Sequence, residues 1–207
     1  MMTIWGRLTS INVSKAVWAA RELGLQFDRI DVGGPFGGLD KPEYVALNPN
    51  SKIPTLDDDG YILWESNSIV RYLAAQYGAG TLWPTDPRER GLSDRWLDWQ
   101  ATEFGPAMGP AFIGLIRTPE DKRNHQAIAE AVARGNKLIL LLEKFLADGR
   151  QYLAGDRFTI GDIAVGCAID RWFLLPIERP ATPLLAQWHK RVSSRPSAQG
   201  VLQQKLA

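Results

Sequence analysis

The sequence predicts a mixed α/β unit with a four-stranded sheet (residues 1–78), a linker (79–87) and an all-helical unit (88–207). Three observations lead there. Strand-period and helix-period segments alternate through the first third in the order β-α-β-α-β-β-α. "AGTLWPTDP" (79–87) then gathers two prolines and turn residues, as a linker does. Beyond it the apolar residues recur at helical spacing.

The first strand candidate is "TIWGR" (3–7). In "NVSKAVWAARELG" (12–24), Val13, Ala16, Val17, Ala20 and Leu23 fall on one helical stripe, and Gly24 is a stop. "QFDRIDV" (26–32) alternates at the strand period and completes a β-α-β unit with a right-handed crossover. "GGPFGGL" (33–39) reads as a flexible loop and "KPEYVAL" (41–47) as a short helix, with Pro42 tolerated in its first turn. "PTL" and "YILW" flank "DDDG", which predicts an antiparallel hairpin. "SNSIVRYLAAQYG" (66–78) is a helix with Ile69, Leu73 and Tyr77 on one face. After Pro87 a long helix is expected, twice interrupted by Gly-Pro in "EFGPAMGPAFIGL" (103–115), because an interior proline removes a hydrogen bond and bends the axis. Ile128, Val132, Leu138, Leu142 and Phe145 mark the helix over 128–146. "FTIGDIAV" opens the helix over 158–173 with Thr159 and Asp162 in capping-box positions. A shorter helix is expected over 183–194.

Composition narrows the partners. A formal charge of +1, 45% hydrophobic residues and 23% charged residues describe an ordinary globular chain. No basic field points to nucleic acid or an anionic membrane. No apolar run has the length of a transmembrane helix, and the N-terminus lacks signal-peptide regions, so cytoplasm is expected. His125 and His189 stand alone and the single cysteine, Cys167, has no ligand at metal spacing, so no metal is expected. Cys167 falls on the apolar period of its helix and reads as a core residue.

Three stretches carry the chemistry. "NPNSKIPTL" (48–56) sets Pro54 before a strand, which pushes Ile53 into an extended conformation and can leave its backbone N–H and C=O free for a ligand. "LTSINVSK" (8–15) lies at the carboxyl end of the first strand, where open α/β sheets bind ligands. Thr9, Ser10 and Asn12 are helix-capping residue types; they also place polar side chains beside a helix N-terminus that favours anions. In "WESNSIVRYL" (64–73), Glu65 and Ser66 read either as a cap or as receptors for an ammonium and a carboxylate. The implied ligand is a short peptide with a free α-amino acid end.

"NPNSKIPTL", "ESNSIVRYL" and "YLAGDRFTIGDIAV" (152–165), in that order and on both sides of the linker, resemble the cytosolic glutathione transferases over essentially the whole chain. The likeness is to a bacterial theta- or nu-like subgroup of serine or threonine/asparagine type. The resemblance implies a thioredoxin-like N-terminal domain, glutathione as co-substrate, and a homodimer. It implies that Pro54 is a cis-proline, that the Ile53 backbone pairs with the cysteinyl unit, that Glu65 and Ser66 hold the γ-glutamyl end and that Lys52 meets the glycine carboxylate. Ser10 takes the place of the hydroxyl that meets the sulfur, with Thr9 and Asn12 as further candidates. Asn12 also resembles a subgroup that reduces disulfides with glutathione. Three functions follow: conjugation of glutathione to a small apolar electrophile, glutathione-dependent disulfide or peroxide reduction, and a non-catalytic scaffold. Phe104, Met108 and Phe112, at i, i+4 and i+8, with Trp172, are expected either to line the electrophile site or to pack in the core. Trp96 and Trp99, on one helix, are expected in the core or at a dimer interface.

Overall fold

The computed structural model describes residues 1–207. Four short strands, β1 (Thr3–Trp5), β2 (Asp28–Ile30), β3 (Thr55–Asp58) and β4 (Tyr61–Trp64), form one sheet in the order β2-β1-β3-β4. β1 and β2 are parallel, because α1 (Ile11–Glu22) carries the chain back over the sheet. β3 runs antiparallel to both β1 and β4. The β3–β4 turn is Asp59-Gly60, with φ of 55° and 91°. Two central residues at positive φ make a type I′ turn, whose twist matches that of the strands it joins. The strands are shorter than the periodicity predicts, but their order and the mixed sheet are those of the thioredoxin-like unit. α2 (Pro42–Leu47) follows β2, and α3 (Ser66–Tyr77) follows β4. Ile4, Val17, Ala20, Leu56, Ile69 and Leu73 are fully buried or nearly so between sheet and helices. The glycine-rich stretch expected as a flexible loop contains a 3-10 turn over Gly34–Phe36.

The second part is helical. α4 (Pro87–Trp99) is capped by Asp86, which accepts from the N–H groups of Arg88 (2.7 Å) and Glu89 (3.0 Å). It continues through a π-helical turn, Gln100–Phe104, into α5 (Gly105–Phe112), and a second π turn spans Ile113–Arg117. The two Gly-Pro pairs thus sit in α5 itself, and the first wide turn lies immediately before them. The Gly105 N–H reaches back to the Gln100 carbonyl. α6 (His125–Phe145), α7 (Ile160–Leu174) and α8 (Pro183–Ser193) complete the bundle. No helix is long and apolar enough to cross a membrane.

α7 is the central post. Asp162, fully buried, accepts from the Thr159 N–H (3.0 Å) and hydroxyl (3.2 Å), the Leu153 N–H (2.9 Å) and the Trp188 indole N–H (3.0 Å). Burial raises its pKa to about 6 against the lowering effect of those donors. Gly166 allows α7 to lie against α1: a Cβ there would come within 2.9 Å of the Trp18 ring. Sheet unit and bundle therefore share one continuous core. Cys167 belongs to it, and burial pushes its thiol up to about 12. Trp96 and Trp99 are also used internally. Trp96 donates to the Leu153 carbonyl (3.2 Å) and meets Phe145 edge-on, while Trp99 stacks on Phe104. These two residues supply no argument for an interface.

Candidate active site

Two helices begin at one cavity. It has a volume of about 580 Å³ and lies between the sheet unit and the bundle, walled by the first turn of α1, the first turn of α3, the π turn, α5 and α7. Ser10 occupies the N-cap position of α1 and Glu65 that of α3, yet neither side chain caps its helix. Elsewhere Asp86 and Asn124 cap their helices, while Lys41 and Thr182 do not. Capping therefore does not account for Thr9, Ser10, Asn12, Glu65 and Ser66. Uncapped first-turn N–H groups and the positive ends of two helix dipoles remain for a ligand, which favours anionic groups there.

Between the helix ends runs a chain of polar contacts. The Ser66 hydroxyl donates to Asn12 Oδ1 at 3.3 Å. Lys15, one turn into α1, donates to Asn67 Oδ1 (3.1 Å), to Ser66 Oγ (3.5 Å) and to the side chain of Gln100 on the π turn. The lysine is 2% exposed, and burial lowers its pKa to about 8. Glu65 stands exposed at the cavity with φ of 73°. A non-glycine residue at such a φ costs of order 1–3 kcal/mol and persists where the surrounding fold imposes it.

The sheet supplies a third element. The Ile53–Pro54 peptide is cis, and neither the N–H nor the C=O of Ile53 has a hydrogen-bond partner within the chain. One residue earlier, the Lys52 carbonyl accepts from the Tyr44 hydroxyl (2.6 Å) and Asn48 Nδ2 (2.9 Å), which fixes the segment while Ile53 stays unpaired. Opposite the helix ends, Phe104, Met108, Phe112 and Trp172 line the cavity and are themselves mostly buried, so they are wall and core at once. Met108 is tightly held: a Cβ at Gly135 of α6 would fall 2.0 Å from its sulfur.

An unpaired peptide edge, two open helix ends and an apolar wall agree with what the sequence resemblance implies, and comparison with known proteins tests it. The family model for the glutathione S-transferase N-terminal domain matches residues 1–75, and that for the C-terminal domain matches residues 104–196. The chain belongs to the glutathione S-transferase family. Glutathione S-transferase GstB of Escherichia coli is 37% identical over 98% of both chains. The disulfide-bond oxidoreductase YfcG of the same organism is 31% identical, over 89% of this chain and 86% of its own. Among solved structures, the theta class glutathione S-transferase of Xanthomonas axonopodis pv. citri, solved with glutathione bound, superposes with a TM-score of 0.95. It is 48% identical, over 100% of this chain and 99% of its own.

Within this glutathione S-transferase the predicted residues separate. Asn12, Glu65, Ser66, Phe104, Met108, Phe112 and Trp172 line the cavity. Ser10 is not among the residues that line it; it is half-buried at the head of α1, one position before Ile11, which does line it. Thr9 lies on a different, smaller pocket, and its carbonyl accepts from Arg171 at 3.4 Å. Lys52, exposed, and Ile53 and Pro54 lie outside the cavity wall. Lys15, Asn67, Gln100 and Arg171 are among the cavity residues that the sequence did not single out.

Proposed function

We propose that this chain conjugates glutathione to electrophiles with an apolar body. The tripeptide extends along the Ile53 edge, its γ-glutamyl end at Glu65 and Ser66, its glycine carboxylate near Lys52 and its sulfur at the head of α1. The observation that carries this reading is the pair of uncapped helix N-termini opening on one cavity opposite an apolar wall. A free thiol of pKa about 8.5 is only a few per cent thiolate at pH 7. The Ser10 hydroxyl, Asn12 and the α1 N-terminus favour the anion, and each tenfold gain in thiolate needs about 1.4 kcal/mol. In the reaction the sulfur–carbon bond forms, the leaving group departs with its electron pair, and the thiol proton goes to solvent. The working unit we propose is a cytoplasmic homodimer.

A second reading, glutathione-dependent disulfide reduction, is favoured by Asn12 lining the cavity and by the relative named a disulfide-bond oxidoreductase. The experiment is a comparison of an aryl halide with a small disulfide on protein first retained on immobilised glutathione. Faster turnover of the halide supports conjugation. Turnover of the disulfide alone moves the assignment to reduction, and retention without either activity removes both.

A further inference from the structure

Three guanidinium groups gather beside the Thr9–Ser10 turn and have no part in the steps above. Arg171, on α7, lines the cavity and holds the Thr9 carbonyl. Its guanidinium carbon lies 4.2 Å from the centre of the Phe112 ring, and that of Arg117 lies 4.8 Å from the same centre. Arg7, just past β1, has a buried Nε with no hydrogen-bond partner. None of the three forms an ion pair with a carboxylate side chain, and of the three only Arg171 lines the cavity. Arg117 donates to a main-chain oxygen of Ala207, the last residue (3.1 Å), and Asp170, next to Arg171, is engaged by the Gln203 N–H (2.8 Å) and lies 3.2 Å from His189 Nε2.

The three also repel one another. Burial, then Arg117, lowers Arg7, and burial, then Arg117, lowers Arg171 to about 10. Clustered, partly desolvated cations create a field that attracts an anion, and Asp170 offsets only part of it at Arg171. The contacts of Arg171 and Arg117 with Phe112 put that field at the apolar wall.

We propose that the electrophile of this cavity is amphipathic, with an apolar body against Phe104, Met108 and Phe112 and a carboxylate held by Arg171 and Arg117. Arg7 adds to the field from behind the turn. This rests on the conjugation reading of the same cavity. The carboxylate is bound and not consumed: glutathione sulfur displaces a halide from a carbon elsewhere on the molecule.

The test compares 4-(chloromethyl)benzoate with the uncharged 4-(chloromethyl)benzamide in the wild-type protein and in Arg171→Gln and Arg117→Gln. The wild type should favour the carboxylate in kcat/KM by about 10-fold or more, the worth of one charge-assisted hydrogen bond. That ratio should fall toward unity in Arg171→Gln, recover in Arg171→Lys, and fall in part in Arg117→Gln. Arg117 is exposed, so its variant keeps the test available if Arg171→Gln does not fold. A wild-type ratio of one, with the amide conjugated, overturns this inference and leaves conjugation standing. So does a ratio that the variants leave unchanged while the bound thiol pKa rises or glutathione affinity falls, since the guanidiniums then serve glutathione. Failure to conjugate either compound, with glutathione bound, overturns the conjugation reading as well.

Discussion

Lys15→Met removes the cation that joins the two halves of the cavity while keeping an unbranched side chain of similar length. Lys15 is nearly inaccessible, and burial outweighs every partner in lowering its pKa from 10.5 to about 8. The difference corresponds to about 3 kcal/mol by which the folded site disfavours the charge. The unfolded chain keeps this proton up to about pH 10.4, whereas the folded chain releases it near 8. Between those values the unfolded state binds more protons, so stability from this group rises with pH. Below pH 8 both states are charged and the contribution is constant. At pH 7 the methionine leaves Asn67 Oδ1 and Gln100 Oε1 without this donor, at about 1–3 kcal/mol each, against about 3 kcal/mol recovered by removing the charge. The net change at neutral pH is therefore small. Urea unfolding at pH 7, 8, 9 and 10 measures it. The stability of the wild type relative to Lys15→Met should climb from pH 8 upward, approaching about 3 kcal/mol near pH 10.5. Parallel pH profiles for the two proteins would refute the reasoning, because Lys15 would then titrate like a solvated lysine.

Other outcomes follow from the same contacts. Glu65→Ala should reduce glutathione affinity by calorimetry more than it reduces saturated turnover, since Glu65 is placed at the ammonium and away from the reacting sulfur; intact affinity with collapsed turnover would contradict that placement. Met108→Ala and Phe112→Ala should change the relative rates for bulky and small electrophiles while sparing glutathione affinity, and an unchanged ranking would make them core residues only. Asp162→Ala leaves four buried donors short of an acceptor and should cost about 3–5 kcal/mol in denaturant unfolding; a loss below about 1 kcal/mol would remove Asp162 from the role of central anchor.

What could be read in the sequence is what short-range chemistry determines. The Asp59-Gly60 turn, Pro54 ahead of β3 and the Thr159/Asp162 pair each depend on residues a few positions apart, and each appears in the fold where the sequence puts it. Lys15 gave no local sign. It sits among apolar positions that already explain α1, and its partners Asn67 and Gln100 are 52 and 85 residues away. Arg171 was hidden for the same reason, on a helix whose apolar period is complete without it. Ser10 and Glu65 are instructive in the other direction. Their positions ahead of helices were legible, but only the assembled structure reveals that their side chains leave the helix ends open. The Gly-Pro pairs signalled an irregular helix; that the chain widens into π turns on either side of α5 depends on packing against α6 and α7.

The central claim is that the head of α1 stabilises glutathione as a thiolate. It is tested most directly by titrating thiolate absorbance of bound glutathione in the wild type, Ser10→Ala and Asn12→Ala. The wild-type pKa should lie below the free value of about 8.5. At least one substitution should raise it by about one to two units, with a 10- to 100-fold loss of rate and nearly unchanged glutathione affinity. A bound thiol that titrates like free glutathione in the wild type would contradict the account.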